Sequence, residues 1–421
     1  MTAKRTNWAG NVTFGAERFH RPTSVPELQQ LVARSRRVRA LGSGHSFNRL
    51  ADTPGDLVSV AGLPRLIEVD TPNAAVTISA ALRYGELASA LNRAGRALHN
   101  LGSLPHISVA GACATATHGS GDINGNLATA VSGLELVTAD GDLVTVRRDA
   151  GPGRLSGMVV GLGALGIVTG LTLDTLPAFN VRQYVYESLP YEQVAECFDE
   201  IMSSAYSVSL FTDWRSPQIR QAWLKRRADA ADSAPPEPRW MGGRLADGPR
   251  NPVPGMPAEH CTEQLGVPGP WHERLPHFRP EFIPSSGDEL QSEYLLPRAA
   301  AIDALRALEQ ISGRLAPVTH VSEIRTIAAD DLWLSPTYLR DSVAFHFTWI
   351  SDWPAVAPVL AQVEDRLGPL QARPHWGKLF GAGPEVLGGQ YQRLDDFRQL
   401  MRGYDPAGKF RNDLLDRYLP A

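Results

Sequence analysis

Apolar positions along this chain change period several times, and the changes predict a mixed α+β protein. Within residues 20–37, Val25, Leu28, Leu31 and Val32 share one face at helical spacing, so a helix is expected to begin near Pro22. A strand follows at 38–41, and residues 57–60 and 75–78 alternate in the manner of strands. Helical spacing returns at 84–96 through Leu87, Ala90, Leu91 and Ala94. Residues 134–146 predict a hairpin around Asp140-Gly141, a strong two-residue turn signal. This pattern runs to about residue 178. Residues 180–225 are richer in aromatics and predict strands around a helix at 191–204. Strands are expected at 289–296, 320–327 and 342–350, with helices near 298–313 and 354–368. Residues 228–257 are dense in Ala, Pro, Gly and Asp and predict an exposed excursion or irregular loop.

At 421 residues the chain is long for one core, and two domains are expected. Its 43% hydrophobic and 20% charged content is that of an ordinary globular protein, and a net charge of −4 leaves no footprint for nucleic acid. The short basic runs Arg34-Ser35-Arg36-Arg37 and Lys225-Arg226-Arg227 read as solvated faces. Cys113, Cys197 and Cys261 are widely spaced and odd in number, which argues against a disulfide framework and fits a reducing cytoplasm. No apolar signal-peptide core is visible at the N-terminus, and no membrane partner is expected. The uncharged stretch 155–173 approaches membrane-spanning length, but its glycines favour a turn followed by a buried strand at 166–173.

Two glycine-rich blocks carry the candidate chemistry. In Arg39-Ala40-Leu41-Gly42-Ser43-Gly44-His45-Ser46, a strand runs into Gly-x-Gly, a loop whose backbone N–H groups can approach an anion closely. The histidine directly after it is not part of a nucleotide cradle. It is either a satisfied loop residue or the point where a flavin ring is tied to the protein. Residues 102–121 are almost free of charge and bulk, so they bury little apolar area per residue but suit a planar ligand. Further along, Glu323 and Arg325 share one strand face by their i, i+2 spacing, and so do His346 and Thr348. They are either an ordinary solvated sheet face or, if the strands pair, one wall of a cavity to which Lys378 adds a cation. The histidines show no metal-ligand spacing, and no Gly-x-Ser-x-Gly nucleophile elbow occurs.

The two glycine blocks resemble the FAD-binding domain of the vanillyl-alcohol oxidase family, and Gly42-Ser43-Gly44-His45-Ser46 resembles its members that bind flavin covalently. Over nearly the whole chain the resemblance narrows to the bacterial alditol oxidases, the branch related to sugar-lactone oxidases. Asn7-Trp8-Ala9-Gly10-Asn11, 103–108, 270–276, 289–294 and Pro374-His375-Trp376-Gly377-Lys378 carry it, with the tail 405–412 resembling the family's closing motif. Cys113 and Ala116 depart from it by small-for-small exchange. The resemblance implies a two-domain α+β flavoprotein: an FAD-binding domain of the PCMH type at 1–178, a mixed-sheet substrate (cap) domain at 179–374, and a segment 375–421 returning to the first.

It further implies FAD contacts from Leu41, Gly42, Ser43, Gly44, His45, Ser46, Ser103, Ser108, Gly111, Thr115, His118 and Ile167, with His45 as the covalent link. Ser103, Glu323, Arg325, Thr348 and Lys378 are expected to contact a polyol, with His346 beside the reacting carbon and Gly102 leaving a path for O2. Oxidising a primary alcohol needs hydride transfer and loss of the hydroxyl proton, so Arg325 and Lys378 suit a developing alkoxide, a neutral His346 suits the base, and Glu323 fixes Arg325. A cytoplasmic monomer that uses a polyol and O2 is expected. The rivals are a sugar-1,4-lactone oxidase or dehydrogenase on the same scaffold, a nicotinamide-dependent reductase with non-covalent flavin, and a flavin-containing binding or electron-transfer protein.

Overall fold

The computed structural model describes residues 5–149, 151, 153–229, 236–282 and 288–420. Its first part is built on two small sheets. In one, Arg18–His20 and Val38–Leu41 flank Asp56–Ser59 in parallel. The intervening helix Val25–Arg34 starts later than Pro22 because Ser24 caps it, accepting from the Glu27 amide, while Glu27 reaches back to the Thr23 amide at 2.7 Å. In the other sheet Ile67–Asp70, Ala75–Ser79, Ile167–Asp174, Val131–Val137 and Leu143–Arg147 pair antiparallel in that order. Ile167–Asp174 alternates buried and half-buried residues along its length, as a strand with one covered face must. Between Val137 and Leu143 the connection is a five-residue loop, closed by Thr138 N–H donating to the Asp142 carbonyl at 2.9 Å. Gly141 (φ +88°) is required twice over there, because a Cβ would lie 2.8 Å from the Gln29 carbonyl of the neighbouring helix.

The second part is one long mixed-length sheet. From one edge the order is Arg239–Trp240, Gly243–Leu245, Asn180–Pro190, Gln218–Arg227, Ser207–Thr212, Thr319–Ile327, Ser342–Ile350, Glu289–Pro297 and Arg373–Pro374, all antiparallel, with Gly269–Pro270 also paired to Asn180–Pro190. Its two faces differ in kind. Val208, Leu210, Ile324, Phe345, Phe347 and Trp349 join Leu305, Leu308, Val356, Val359 and Val363 from the helices Ala301–Glu309 and Trp353–Leu367 in an apolar core. The alternate residues of the same strands point the other way, toward the first part of the molecule.

The 191–204 segment forms two short helices, Tyr191–Glu196 and Phe198–Ser203, interrupted at Cys197 (φ −121°, ψ 25°). A short helix, Arg154–Met158, precedes the Ile167–Asp174 strand, where a turn was expected. In the 228–257 stretch residues 230–235 lie outside the described residues, and the remainder is more ordered than an open excursion. Arg239–Trp240 and Gly243–Leu245 form a hairpin on the sheet edge, and Asn251, held by Gln221, turns the chain inward. The C-terminal residues return to the first sheet: Val38 N–H donates to the Lys409 carbonyl at 2.9 Å, and Phe410 is buried with Leu28, Leu31, Val38 and Ile167. Among the described residues no helix is long and apolar enough to cross a membrane, and no group of three His, Cys, Asp or Glu side chains is placed to hold a metal ion.

Candidate active site

A continuous cleft separates the polar face of the long sheet from the glycine-rich loops of the first part. Arg39, Leu162 and Gly163 line it at the loop side, and Glu293, Glu323, Arg325, His346, Thr348 and Lys378 line it at the sheet side. Leu41, Gly42, Ser43, Gly44, His45 and Ser46 lie along it, as do Gly102, Ser103, Ser108, Gly111, Thr115 and His118. Ile167 does not. Its side chain is wholly buried in the core beside Val38 and Phe410, and its neighbours Gly166 and Val168 line the cleft instead. The Ile167 side chain points away from the cleft because alternation along a strand turns i and i±1 to opposite faces.

The loop side fits an extended flavin cofactor. Ser43 and Ser108 clasp each other across the two glycine blocks, each hydroxyl accepting from the other's backbone N–H at 3.1 and 3.3 Å. A Cβ at Gly42 or Gly111 would come within 2.5 or 2.6 Å of the Ser108 hydroxyl, so both glycines keep this clasp and the groove beside it open. At Gly102 a Cβ would meet its nearest neighbour, Thr117 Cγ2, only at 3.8 Å, so the glycine leaves about a methyl group of free space in the cleft wall. Thr115 bonds back to the Gly111 and Ala112 carbonyls at 3.2 and 3.3 Å, while Cys113 is buried against the Tyr84 hydroxyl and burial raises its thiol to about 12. That thiol is inert packing.

His45 stands apart in this wall by its place beside the glycine loop. Its Nδ1 is buried without a hydrogen-bond partner, and burial pushes the imidazole down to about 4, so the ring is neutral at physiological pH. Trp8 stacks on it with centroids 5.0 Å apart and planes 18° from parallel, and the Trp8 N–H donates to the Gly44 carbonyl at 2.8 Å. Asn48 then ties this loop to the sheet side, its amide donating to the carbonyls of both Trp376 and Lys378 at 2.8 Å. A neutral imidazole with a buried ring nitrogen that no hydrogen bond holds, in a loop fixed from two directions, fits a point of flavin attachment.

At the sheet side, register assembles the charges. Glu323 lies opposite His346, and His346 opposite Glu293 on its other flank, while Thr348 lies opposite Gln291. Glu293 is 1% exposed and holds two cations: Arg325 Nη2 donates to its Oε1, and Lys378 Nζ donates to its Oε2 at 2.7 Å. Arg325 Nε stands 3.7 Å from Glu323 Oε2. Burial by itself would raise both carboxyls, but the cations outweigh it and both are held below the usual carboxylate range. Burial lowers Lys378 against the pull of Glu293, and drives His346 well below its ordinary value with Lys378 adding to the effect. His346 is therefore neutral. Lys378 Nζ donates to its Nδ1 at 2.8 Å, which leaves the ring proton on Nε2, 3.1 Å from the Thr348 hydroxyl.

The structure thus brings together Ser103, His118, Glu323, Arg325, His346, Thr348 and Lys378. His118 Nδ1 contacts the Gly119 carbonyl at 2.9 Å, and its Nε2 stands 3.4 Å from Glu293. Glu293 itself was not singled out by sequence. Its signal was the alternation Glu289, Gln291, Glu293 on one strand face, legible only once that strand is paired with Ser342–Ile350. Pro252 and Val253, from the stretch that had no derived role, also line the cleft.

Two family models match the chain: an FAD binding domain over residues 16–147 and D-arabinono-1,4-lactone oxidase over 288–418. An alditol oxidase from a Streptomyces species is 52% identical across 99% of this chain and 100% of its own length. An L-gulono-1,4-lactone dehydrogenase from Mycobacterium tuberculosis is 30% identical across 98% of both chains, and an L-gulonolactone oxidase from Bos taurus 25% identical across 98% of both. Among solved structures, a cholesterol oxidase from B. sterolicum superposes with a TM-score of 0.80 over 99% of this chain and 96% of its own, at 14% identity, a likeness of fold alone.

Proposed function

The chain belongs to the FAD-dependent alditol oxidase family, in the sugar-lactone oxidase branch, and from that membership we propose that it oxidises the C1 hydroxyl of polyols such as xylitol and sorbitol to the aldose, with O2 reduced to H2O2. The observation that carries this reading is the buried set Glu293, Glu323, Arg325, His346 and Thr348, with the half-buried Lys378, at one end of a cleft whose other wall fits a flavin. A polyol offers only hydroxyls, and a pocket that binds it needs matched polar partners. Bound FAD would supply the acceptor for the hydride from C1. The chain's own residues do the rest. Lys378 and Arg325 stabilise charge on the alcohol oxygen as its proton leaves. The basic nitrogen of His346 is Nδ1, which Lys378 occupies; when Lys378 moves onto the alcohol oxygen, Nδ1 is free to take the proton. Ser103, Thr348 and Glu323 orient the remaining hydroxyls.

In the same reading His45 bears the flavin covalently, and Gly102 leaves O2 room beside it. The enzyme is a cytoplasmic monomer, in keeping with three free cysteines among the described residues. The lactone-oxidase model covers the strands that carry Glu293, Glu323, Arg325 and His346 and the loop that carries Lys378, and this favours an aldonolactone oxidase or dehydrogenase as the second reading. Oxygen uptake by the purified yellow protein decides between them. Uptake on adding xylitol, with peroxide in equal amount, is expected; silence with xylitol and flavin reduction by an aldonolactone would favour the second.

A further inference from the structure

Glu323 has two carboxylate oxygens, and only one faces Arg325. The other, Oε1, is held by a buried pair on separate elements. His277 Nε2 lies 2.8 Å from it, and Lys225 Nζ, on Gln218–Arg227, lies 3.0 Å from His277 Nδ1. Lys225 is 1% exposed and also donates to the Leu275 carbonyl and, at 3.2 Å, to the Pro276 carbonyl. Phe211 and Trp223 meet the His277 ring edge-on, each with its centroid 5.4 Å away, so the imidazole has no freedom to turn aside.

Counting hydrogens fixes the charge of this pair. Four contacts each need one: Lys225 to Leu275, Lys225 to Pro276, the bond shared by Nζ and Nδ1, and His277 Nε2 to the ionised Glu323. A neutral amine and a neutral imidazole together carry three such hydrogens, so the pair holds one more proton and one positive charge. The other ionisable groups acting on it are Glu323 and Arg325 on Thr319–Ile327 and the Cys261 thiol, itself raised by burial. Burial lowers His277 to about 4 and Lys225 only to about 7, so the added proton of the pair sits on Lys225 beside a neutral imidazole.

We infer that Lys225 and His277 are positioning residues that hold one positive charge against Glu323 Oε1 and so keep that carboxylate ionised and aimed into the cleft for a polyol hydroxyl. The inference rests on the polyol reading above. Neither residue takes part in proton removal at C1; both act on binding through Glu323.

Anaerobic rapid mixing with xylitol separates the saturation constant from the limiting rate of flavin reduction. His277→Leu is expected to raise the saturation constant about tenfold or more, the size of a lost charged hydrogen bond, with a smaller change in limiting rate. His277→Gln, whose amide can still donate to Glu323, should stay within roughly threefold of the parent. Lys225→Met should weaken xylitol binding in the same direction, and it carries the test if His277→Leu loses its flavin or its fold. Equal weakening in the Leu and Gln variants, or Lys225→Met binding xylitol as the parent does, would overturn the inference. A parent flavin that xylitol does not reduce would instead overturn the polyol reading, and this inference with it.

Discussion

The two walls of the cleft are made of opposite materials. On the loop side the glycine blocks are made of small residues, and what faces the cleft there is largely backbone: Gly42, Ser43, Gly44, Gly111 and the Ser43–Ser108 clasp. On the sheet side the backbone is consumed in strand pairing, and what faces the cleft is long charged side chains from three adjacent strands. A loop wall recognises through its shape and tolerates little added bulk. A sheet wall recognises through charge, and its groups depend on one another, since Glu293 holds Arg325 and Lys378, Lys378 holds His346, and His277 holds Glu323. Substitutions on the sheet side should therefore propagate through charge, whereas those on the loop side should act on the cofactor alone.

Glu293→Leu is the severest way to break this contrast. It leaves the buried Arg325 and the half-buried Lys378 without their shared anion, and removal of one partner from a buried pair costs about 3–5 kcal/mol. Denaturant unfolding should show a loss of that order together with loss of turnover, while Glu293→Gln should retain more of both. If the Leu variant unfolds at the parent midpoint, the sheet wall is not a coupled network.

Within that wall, His346→Ala tests the chemistry itself. Loss of a general base lowers turnover by about 10²–10⁴-fold, and the saturation constant for xylitol should change far less. Glu323→Ala should reduce both affinity and turnover. Unchanged flavin-reduction rates in both variants would remove the pair from the mechanism.

How far each wall was legible in sequence follows from the same difference. The loop wall is contiguous: 39–48 and 102–121 announce themselves by composition, because a groove for a planar ligand excludes bulk locally. The Glu323/Arg325 and His346/Thr348 faces were legible by their spacing of two. Glu293, Lys225 and His277 were not, because their meaning lies in register and in a turn packed across the sheet, which no local pattern encodes. Ile167 shows the reverse: its neighbours face the cleft, and strand alternation buries its side chain. Most strands and helices were legible from their periods; the break at Cys197 and the five-residue loop at 138–142 were set by tertiary packing that spacing does not carry.

On the loop side the decisive variant is His45→Ala. The parent flavin should remain with the protein through acid precipitation, and the variant should release all of it to the supernatant. The fold should survive, since the imidazole packs chiefly on Trp8, whose own backbone stays bonded to Gly44. The sheet wall should still bind polyol when FAD is supplied. Release of flavin from the parent would leave His45 as a neutral loop residue.

The smallest expected effect is a pH dependence of stability in which carboxylates and imidazoles separate. Burial pushes His277 to about 4 and His375 to about 3, against an ordinary 6.5, so both are neutral in the folded protein. The unfolded chain binds those protons near pH 6.5, and stability present above that value is lost as pH falls toward the folded values. Glu293 and Glu323 have folded values below their ordinary 4.5, so their contribution is intact at pH 5 and lost only below it. A thermal midpoint that declines between pH 7 and 5 thus reports the imidazoles, since the carboxyls that burial raises, Asp330 and Glu364, would shift it the other way. His375→Asn should make that decline shallower, because the amide can still accept from the Gly377 N–H that the ring now holds at 3.1 Å but takes up no proton. A midpoint flat across this interval would mean that these histidines stay within reach of water, contrary to the dry sheet wall on which the contrast depends.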